Sequence, residues 1–245
     1  MRKFIIIFLF LTTFMKAEDI ILSISSGFPV PETNLVRTIV QDGFNRANIT
    51  TKYQTVPPER SLVNVNLGLD DVEAGRIKGI ESTYPNLIRI PVQIHTIDIV
   101  LLSKKKIKVY EVSDLKRYHL GLNRGVKIAE SIAKKSGSES ITMATSYNML
   151  IKMLINDRID VIITSKIGML TMLADTENEG LFLTLKPVVS LPLYTYVNKK
   201  YKHLVPKITK AYQSMDKDGT IEKYHNGFLH DLEVKIENKV KIIND

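Results

Sequence analysis

Two successive blocks of alternating strand and helix predict an α/β chain whose sheets are covered by helices on both faces. Three observations carry this. Short apolar, β-branched runs such as Ile20–Ile24 and Ile159–Ile163 recur between turn signals, as buried strands do. Between them lie segments with apolar residues at helical spacing, such as Leu35, Val36, Ile39, Val40 and Phe44. Finally, NDRIDVIITS at 156–165 repeats the outline of LGLDDVEAG at 67–75: helix end, turn, aspartate, short strand.

In order, Ile20–Ile24 reads as a first strand, followed by the polar loop SSGFPVP at 25–31 and a helix opening at Glu32. Thr50–Val56 is a second strand. Pro57-Pro58 starts the next helix, because proline is tolerated in a first turn, and Gly68 ends it. The Asp71 strand follows. Asn86–Pro91 and Ile97–Leu102 are two further strand candidates. The alternation then restarts with a strand at Tyr118–Leu122, a helix at Val126–Lys135 and a strand at Ser140–Ala144. Ser146 caps a helix with Met149, Leu150, Met153 and Leu154 on one face. Ile159–Ile163 is a strand, and Ser165 caps the helix that runs through Met172. Val188–Val197 is strand-like, and helices follow at Tyr201–Met215 and Thr220–Phe228. The polar tail 231–245 carries no assignment.

The runs 97–102 and 188–197 flank the second block, so they are the expected crossings between two lobes. The expected division is a discontinuous first lobe, 18–101 and 193–245, with the second, 102–192, inserted in it.

Composition bounds the function. The chain has 245 residues, 44% apolar and 24% charged, the values of an ordinary globular protein and not of a disordered one. No cysteine is present, which excludes disulfides, thiolate chemistry and cysteine-based zinc sites. Arg2 and Lys3 precede the apolar run Phe4–Phe14, and Ala17 stands before Glu18-Asp19, the pattern of a cleaved secretory signal peptide over 1–17. Its removal takes Arg2, Lys3 and Lys16 with it and lowers the net charge from +8 to +5. Of the remaining cations only Lys104-Lys105-Lys106 cluster, so no nucleic-acid partner is expected.

Several stretches in sequence order resemble the extracellular solute-binding proteins of the amino-acid transporter type (family 3). They are PPERSLVNVNLGLDDVEAGRI, VSDLKRYHLGLNRG, MLINDRIDVIITS and NKKYKHLVPKITKAYQSMDKDGTIEKYHN. The resemblance spans nearly the whole chain after residue 17. It implies the type 2 periplasmic-binding fold, in which two lobes close on a small solute and deliver it to an ABC-type permease or a membrane sensor. It also implies a periplasmic location, a monomer, no cofactor and no enzymatic activity. Some relatives of the fold are dehydratases, so a cleft enzyme is the alternative reading. Two departures stand out. The aspartate with which the amino-acid binders grip the ligand's amino group falls at Ile163, Thr164 or Ser165 here. The carboxylate-gripping Thr-x-x-Arg stretch is replaced by GRIKGIES, where Arg76 is the available guanidinium.

Ligands of open α/β sheets bind beyond the carboxyl ends of the strands. That rule selects Ser26 and Phe28 after the first strand, and Arg76 after the Asp71 strand. In the second block it selects Asn123 and Arg124, then Ser146 and Tyr147, then Thr164 and Ser165. Arg60, near the start of its helix, is within reach of the same crevice. Arg76 and Arg124 suit a carboxylate or phosphate, which a guanidinium grips with two parallel hydrogen bonds. A small anionic or zwitterionic solute is therefore expected. Asp71 and Asp160, at turns, are expected to hold backbone N–H groups and not the ligand. The five histidines, His95, His119, His203, His225 and His230, show no metal-binding spacing, and no HExxH, GxSxG, GxGxxG or P-loop is present. No metal site and no catalytic residue is expected.

Overall fold

The structure, a computed structural model, describes residues 21–28, 30–175 and 180–243. The signal-peptide expectation for 1–17 lies outside them. The first half contains β1 (Ile21–Ser26), α1 (Glu32–Arg46), β2 (Thr50–Thr55), α2 (Pro58–Leu67) and β3 (Val72–Ile77). The long strand β4 (Leu87–Ser103) leads into β5 (Leu120–Asn123), α3 (Lys127–Ser136), β6 (Ile141–Ala144), α4 (Tyr147–Ile155), β7 (Val161–Ser165) and α5 (Lys166–Ala174). A second long strand, β8 (Leu181–Asn198), returns the chain to α6 (Val205–Lys217), α7 (Thr220–Val234) and β9 (Val240–Ile243).

The strands are joined edge to edge in the order β2-β1-β3-β8-β4-β7-β5-β6, with β9 beside β8. β1 is parallel to β2 and β3, and β5 is parallel to β6 and β7. β4 and β8 pair antiparallel along almost their whole lengths and carry the chain from one half to the other. Their register slips between Arg89 and Gln93, between Gln93 and His95, and again between Ile99 and Leu101. The two strand candidates at 86–91 and 97–102 are thus one strand, which slips register at the crossing.

Alternation along β4 divides the core. Val100 and Leu102 join the large cluster on one face, with Leu22, Ile24 and Phe44 from the first half and Leu150, Ile162 and Leu170 from the second. Ile99 and Leu101 point the other way, to Leu115, Leu122, Ile132, Val161 and Ile163. On that second face the first half has its own small cluster of Val65, Leu87 and Tyr196. Apolar packing therefore runs across both halves on one side of the ladder and is interrupted on the other.

α7 completes the continuous side. Ile221 and Leu232 are buried in the shared cluster, as is Ile236 just beyond the helix. The tail then pairs β9 parallel to Leu181–Thr184 of β8, next to the second block. Lys166 of α5 lies 3.0 Å from Glu233, and Lys239 Nζ donates 2.7 Å to the Ala174 carbonyl at the end of α5. The C-terminal segment, which the sequence left unassigned, is a third crossing between the halves.

Candidate functional site

Each strand that the carboxyl-end rule points to delivers a small polar cluster. At the end of β1, Ser26 is fully buried and its hydroxyl lies 3.4 Å from Thr33 Oγ1. Thr33 Oγ1 lies within 3.4 Å of both Tyr53 OH and Thr55 Oγ1. The Phe28 amide donates to Ser26 Oγ at 3.3 Å, while its ring is buried in the large core against Gly75.

Arg76 closes the end of β3. Its Nη2 donates 2.8 Å to the Pro58 carbonyl, and its Nε lies 3.2 Å from Glu73 Oε1, a charge pair without hydrogen-bond alignment. Glu73 is fully buried, and its other oxygen accepts from the Ser61 hydroxyl. Burial pushes the Glu73 carboxyl up to about 7 against the opposing pull of the Arg76 charge. Gly27 makes room for this corner: a Cβ there would stand 2.5 Å from Pro58 Cα and 2.7 Å from Arg76 Nη2. Arg60 is exposed on α2.

In the second half, the start of α3 already holds a carboxylate. Gly125 N–H donates 2.9 Å to Glu130 Oε1, and Lys127 lies 2.8 Å from the other Glu130 oxygen. The start of this helix, a favourable place for an anion, is filled from within the chain by Glu130. Arg124 is exposed and Asn123 half-buried beside it. Ser146 caps α4 by accepting from Met149 N–H at 3.3 Å. Tyr147 OH and Thr164 Oγ1 lie 2.9 Å apart, and Ser165 caps α5 by accepting from Gly168 N–H at 3.1 Å. Gly168 is where these groups converge, since a Cβ there would lie 3.0 to 3.2 Å from the Ser165, Thr164 and Tyr147 oxygens.

A cavity of about 580 Å³ lies where the halves meet, between the starts of α1 and α5, the crossing part of β4, and α7. Of the ten expected site residues it takes Ser165 alone. The rest of its polar wall is Glu32, Gln93, His95, Thr96, Asp98, Lys166, Asp216, Glu222, His225 and Asn226. A second cavity, about 410 Å³, lies at the opposite ends of the second-half strands and includes His119 and Asp160.

Within the first cavity, three residues form a hydrogen-bonded chain. His95 Nε2 lies 3.0 Å from Glu32 Oε1, and His95 Nδ1 lies 2.9 Å from His225 Nε2. Glu32 and His95 are 7% and 4% exposed, so this is an interior array. The two imidazoles stack with centroids 5.0 Å apart. Burial, with a smaller contribution from His95, lowers His225 to about 4. Sequence reasoning missed all three members. Glu32 reads as an ordinary first-turn acid, and His95 and His225 stand 130 positions apart with no motif to join them. Among the described residues, no group of three or more His, Asp or Glu side chains is placed to hold a metal ion.

No family model and no curated protein matches the sequence. Solved structures do. The GluR0 ligand-binding core in complex with L-glutamate superposes with a TM-score of 0.70 at 13% identity, over 86% of this chain and 99% of that one. The L-cystine solute receptor of Neisseria gonorrhoeae, in an unliganded open conformation, gives 0.64 at 14% identity, over 86% and 93%. A histidine kinase sensor domain with similarity to periplasmic binding proteins gives 0.63 at 11% identity, over 86% and 96%. At these identities the likeness is one of architecture: the chain has the two-lobed, type 2 periplasmic-binding fold.

Proposed function

We propose that the protein is a solute receptor that closes its two lobes around a small polar, amino-acid-like solute. The observation that carries this reading is the cavity of about 580 Å³ at the lobe junction, walled by elements of both blocks and by the strand that joins them. The lobes are taken as 18–101 with 193–245, and 102–192, the last strand β9 reaching across to the second. Closure then works by hinging at the register slips of β4 and β8.

A zwitterionic solute fits the charges best. Glu32, Asp98 and Glu222 on the cavity wall suit an ammonium group. Arg76 and Arg124, at strand ends of different lobes, are the proposed carboxylate partners. Ser26, Phe28, Arg60, Asn123, Ser146, Tyr147 and Thr164 complete the proposed rim, and Ser165 belongs to both rim and cavity.

The solute is passed to an ABC-type permease or reported to a membrane sensor; the likeness to a histidine kinase sensor domain supports the second as much as the solute receptors support the first. Export through a signal peptide, a periplasmic location and a monomeric state belong to the same reading. So does the absence of a catalytic role. The buried Glu32–His95 pair on the cavity wall favours the alternative of a cleft enzyme, because a carboxylate-held imidazole can move a proton.

Thermal-shift screening with amino acids, organic anions and polyamines tests the proposal. A solute at about 100 times its Kd adds about 2.7 kcal/mol of stability. An amino acid that raises the melting temperature and is recovered unchanged supports the receptor; its conversion to product supports the enzyme.

A further inference from the structure

α7 is held at both ends. Near its start, Tyr224 OH donates 3.2 Å to Asp42 of α1, and His225 meets His95 of the crossing strand at 2.9 Å. At its far end, Glu233 pairs with Lys166 of α5 at 3.0 Å. The helix is thus a strut from the first half to the second, and it walls the cavity between them.

The joint at His225 tolerates only some protonation states. With both imidazoles neutral, His95 Nε2–H donates to the Glu32 carboxylate and His225 Nε2–H donates to His95 Nδ1. With one added proton the shared hydrogen bond reverses direction and survives, and Glu32 faces an imidazolium. With both rings protonated, two N–H groups face each other across 2.9 Å with no acceptor between them. The hydrogen bond is then replaced by repulsion between two stacked cations. Among the described residues, the charged and titratable groups that line the cavity with His225 are Glu32 from α1, His95 and Asp98 from β4, Lys166 from α5, Asp216 from α6, and Glu222 on α7 itself. None of the carboxylates among them accepts a hydrogen bond between the two rings, where His95 Nδ1 and His225 Nε2 are in direct contact.

We propose that the Glu32–His95–His225 chain is an acid-released latch, which seats α7 across the two lobes while the imidazole pair carries at most one added proton and frees it when both rings are charged. The latch needs no solute, so it goes beyond the receptor reading and is tested on the protein alone. Its release widens the junction and opens the cavity, which couples solute retention to the acidity of the compartment.

The test uses the full chain, whose lack of cysteine allows clean labelling. Spin labels are placed at Lys152→Cys on α4 and Lys210→Cys on α6, both exposed positions. The interlabel distance is measured from pH 7 to pH 4, with amide hydrogen exchange of α7 read against α3. The expected result is a longer distance and a loss of α7 protection that steepens toward tenfold per pH unit, as one-proton linkage allows, while α3 keeps its protection. His225→Gln, which retains a hydrogen-bonding group without titrating, is expected to abolish the pH response. Should that variant not fold, side-chain nitrogen NMR of the unsubstituted protein serves: His225 protonation and α7 release are expected at the same pH. Unchanged α7 protection down to pH 4, an equal loss in His225→Gln, simultaneous loss in α3, or His225 titrating apart from α7 release would each overturn the proposal.

Discussion

The Asp160 carboxylate accepts a 2.8 Å hydrogen bond from the His119 amide, while the Asp160 amide donates 2.8 Å to the His119 carbonyl. Asp71 makes the same reciprocal pair with Ser23 in the first half: its carboxylate accepts from the Ser23 amide at 2.8 Å and its amide donates to the Ser23 carbonyl at 3.0 Å. Each aspartate thus fixes where its strand begins against the neighbouring parallel strand. The repeated turn-aspartate-strand outline is a building device of each lobe, which is what the sequence implied.

The two aspartates differ in burial, and this sets an order of effects. Asp71 also accepts from the Ser23 hydroxyl at 2.9 Å and pairs with Lys200 at 2.7 Å, and it is 8% exposed. Asp71→Ala is expected to cost about 1–3 kcal/mol, through partly buried donors left without an acceptor. Asp160 is exposed, so Asp160→Ala is expected to cost less, about 1 kcal/mol. Urea denaturation of the two variants reads the difference.

Gly43 is where α1 approaches α6. A Cβ at this position would lie 1.8 Å from the Tyr212 ring, which is fully buried and bonded through its hydroxyl to Thr195 at 3.1 Å. Gly43→Ala must push that ring out of place, and about 1–3 kcal/mol of destabilisation is expected. Thermal unfolding checks it, and the double variant with Tyr212→Leu should recover part of the loss.

Glu73 and His225 give opposite pH dependences. Glu73 is raised from 4.5 to about 7 by burial, so the folded state holds a proton that the unfolded chain releases, and stability falls as pH rises from about 4.5 to about 7. His225 is lowered from 6.5 to about 4, so the unfolded chain takes the proton first, and stability falls as pH drops from about 6.5 to about 4. The two slopes partly cancel in the parent protein. Glu73→Gln is expected to unmask the rise with pH due to His225, and His225→Gln the fall due to Glu73. Urea unfolding at several pH values across this window separates them.

Ser165 and Tyr147 tie stability to binding. Ser165→Ala removes the α5 cap, which costs about 1 kcal/mol, and also changes the cavity wall, so solute affinity is expected to fall with stability. Tyr147→Phe removes only the 2.9 Å contact with Thr164, outside that wall, and costs about 1 kcal/mol. Because Tyr147 and Thr164 belong to the proposed rim, affinity for the same solute is expected to fall as well. Calorimetry beside thermal unfolding reads both quantities.

The alternation of strands and helices was legible because it rests on local periodicity. The caps at Ser146 and Ser165 were legible because capping depends on a few adjacent residues. β4 was split in the sequence reading because Pro91, Gln93 and His95 interrupt its apolar pattern where it crosses between lobes. The tail was missed because Leu232, Ile236 and Ile243 are too sparse to show a period, yet each is buried by a distant partner. Of the proposed site, the strand-end residues were read from topology. The Glu32–His95–His225 chain was not, because it joins three elements through tertiary packing alone.

The central claim is that the two lobes close on a small solute, and the distance between labels at Lys152→Cys and Lys210→Cys tests it most directly at fixed neutral pH. The account predicts that an amino-acid-like solute bound in calorimetry shortens this distance, and that Arg76→Ala weakens both the binding and the shortening. A solute that binds at full occupancy and leaves the distance unchanged would contradict it.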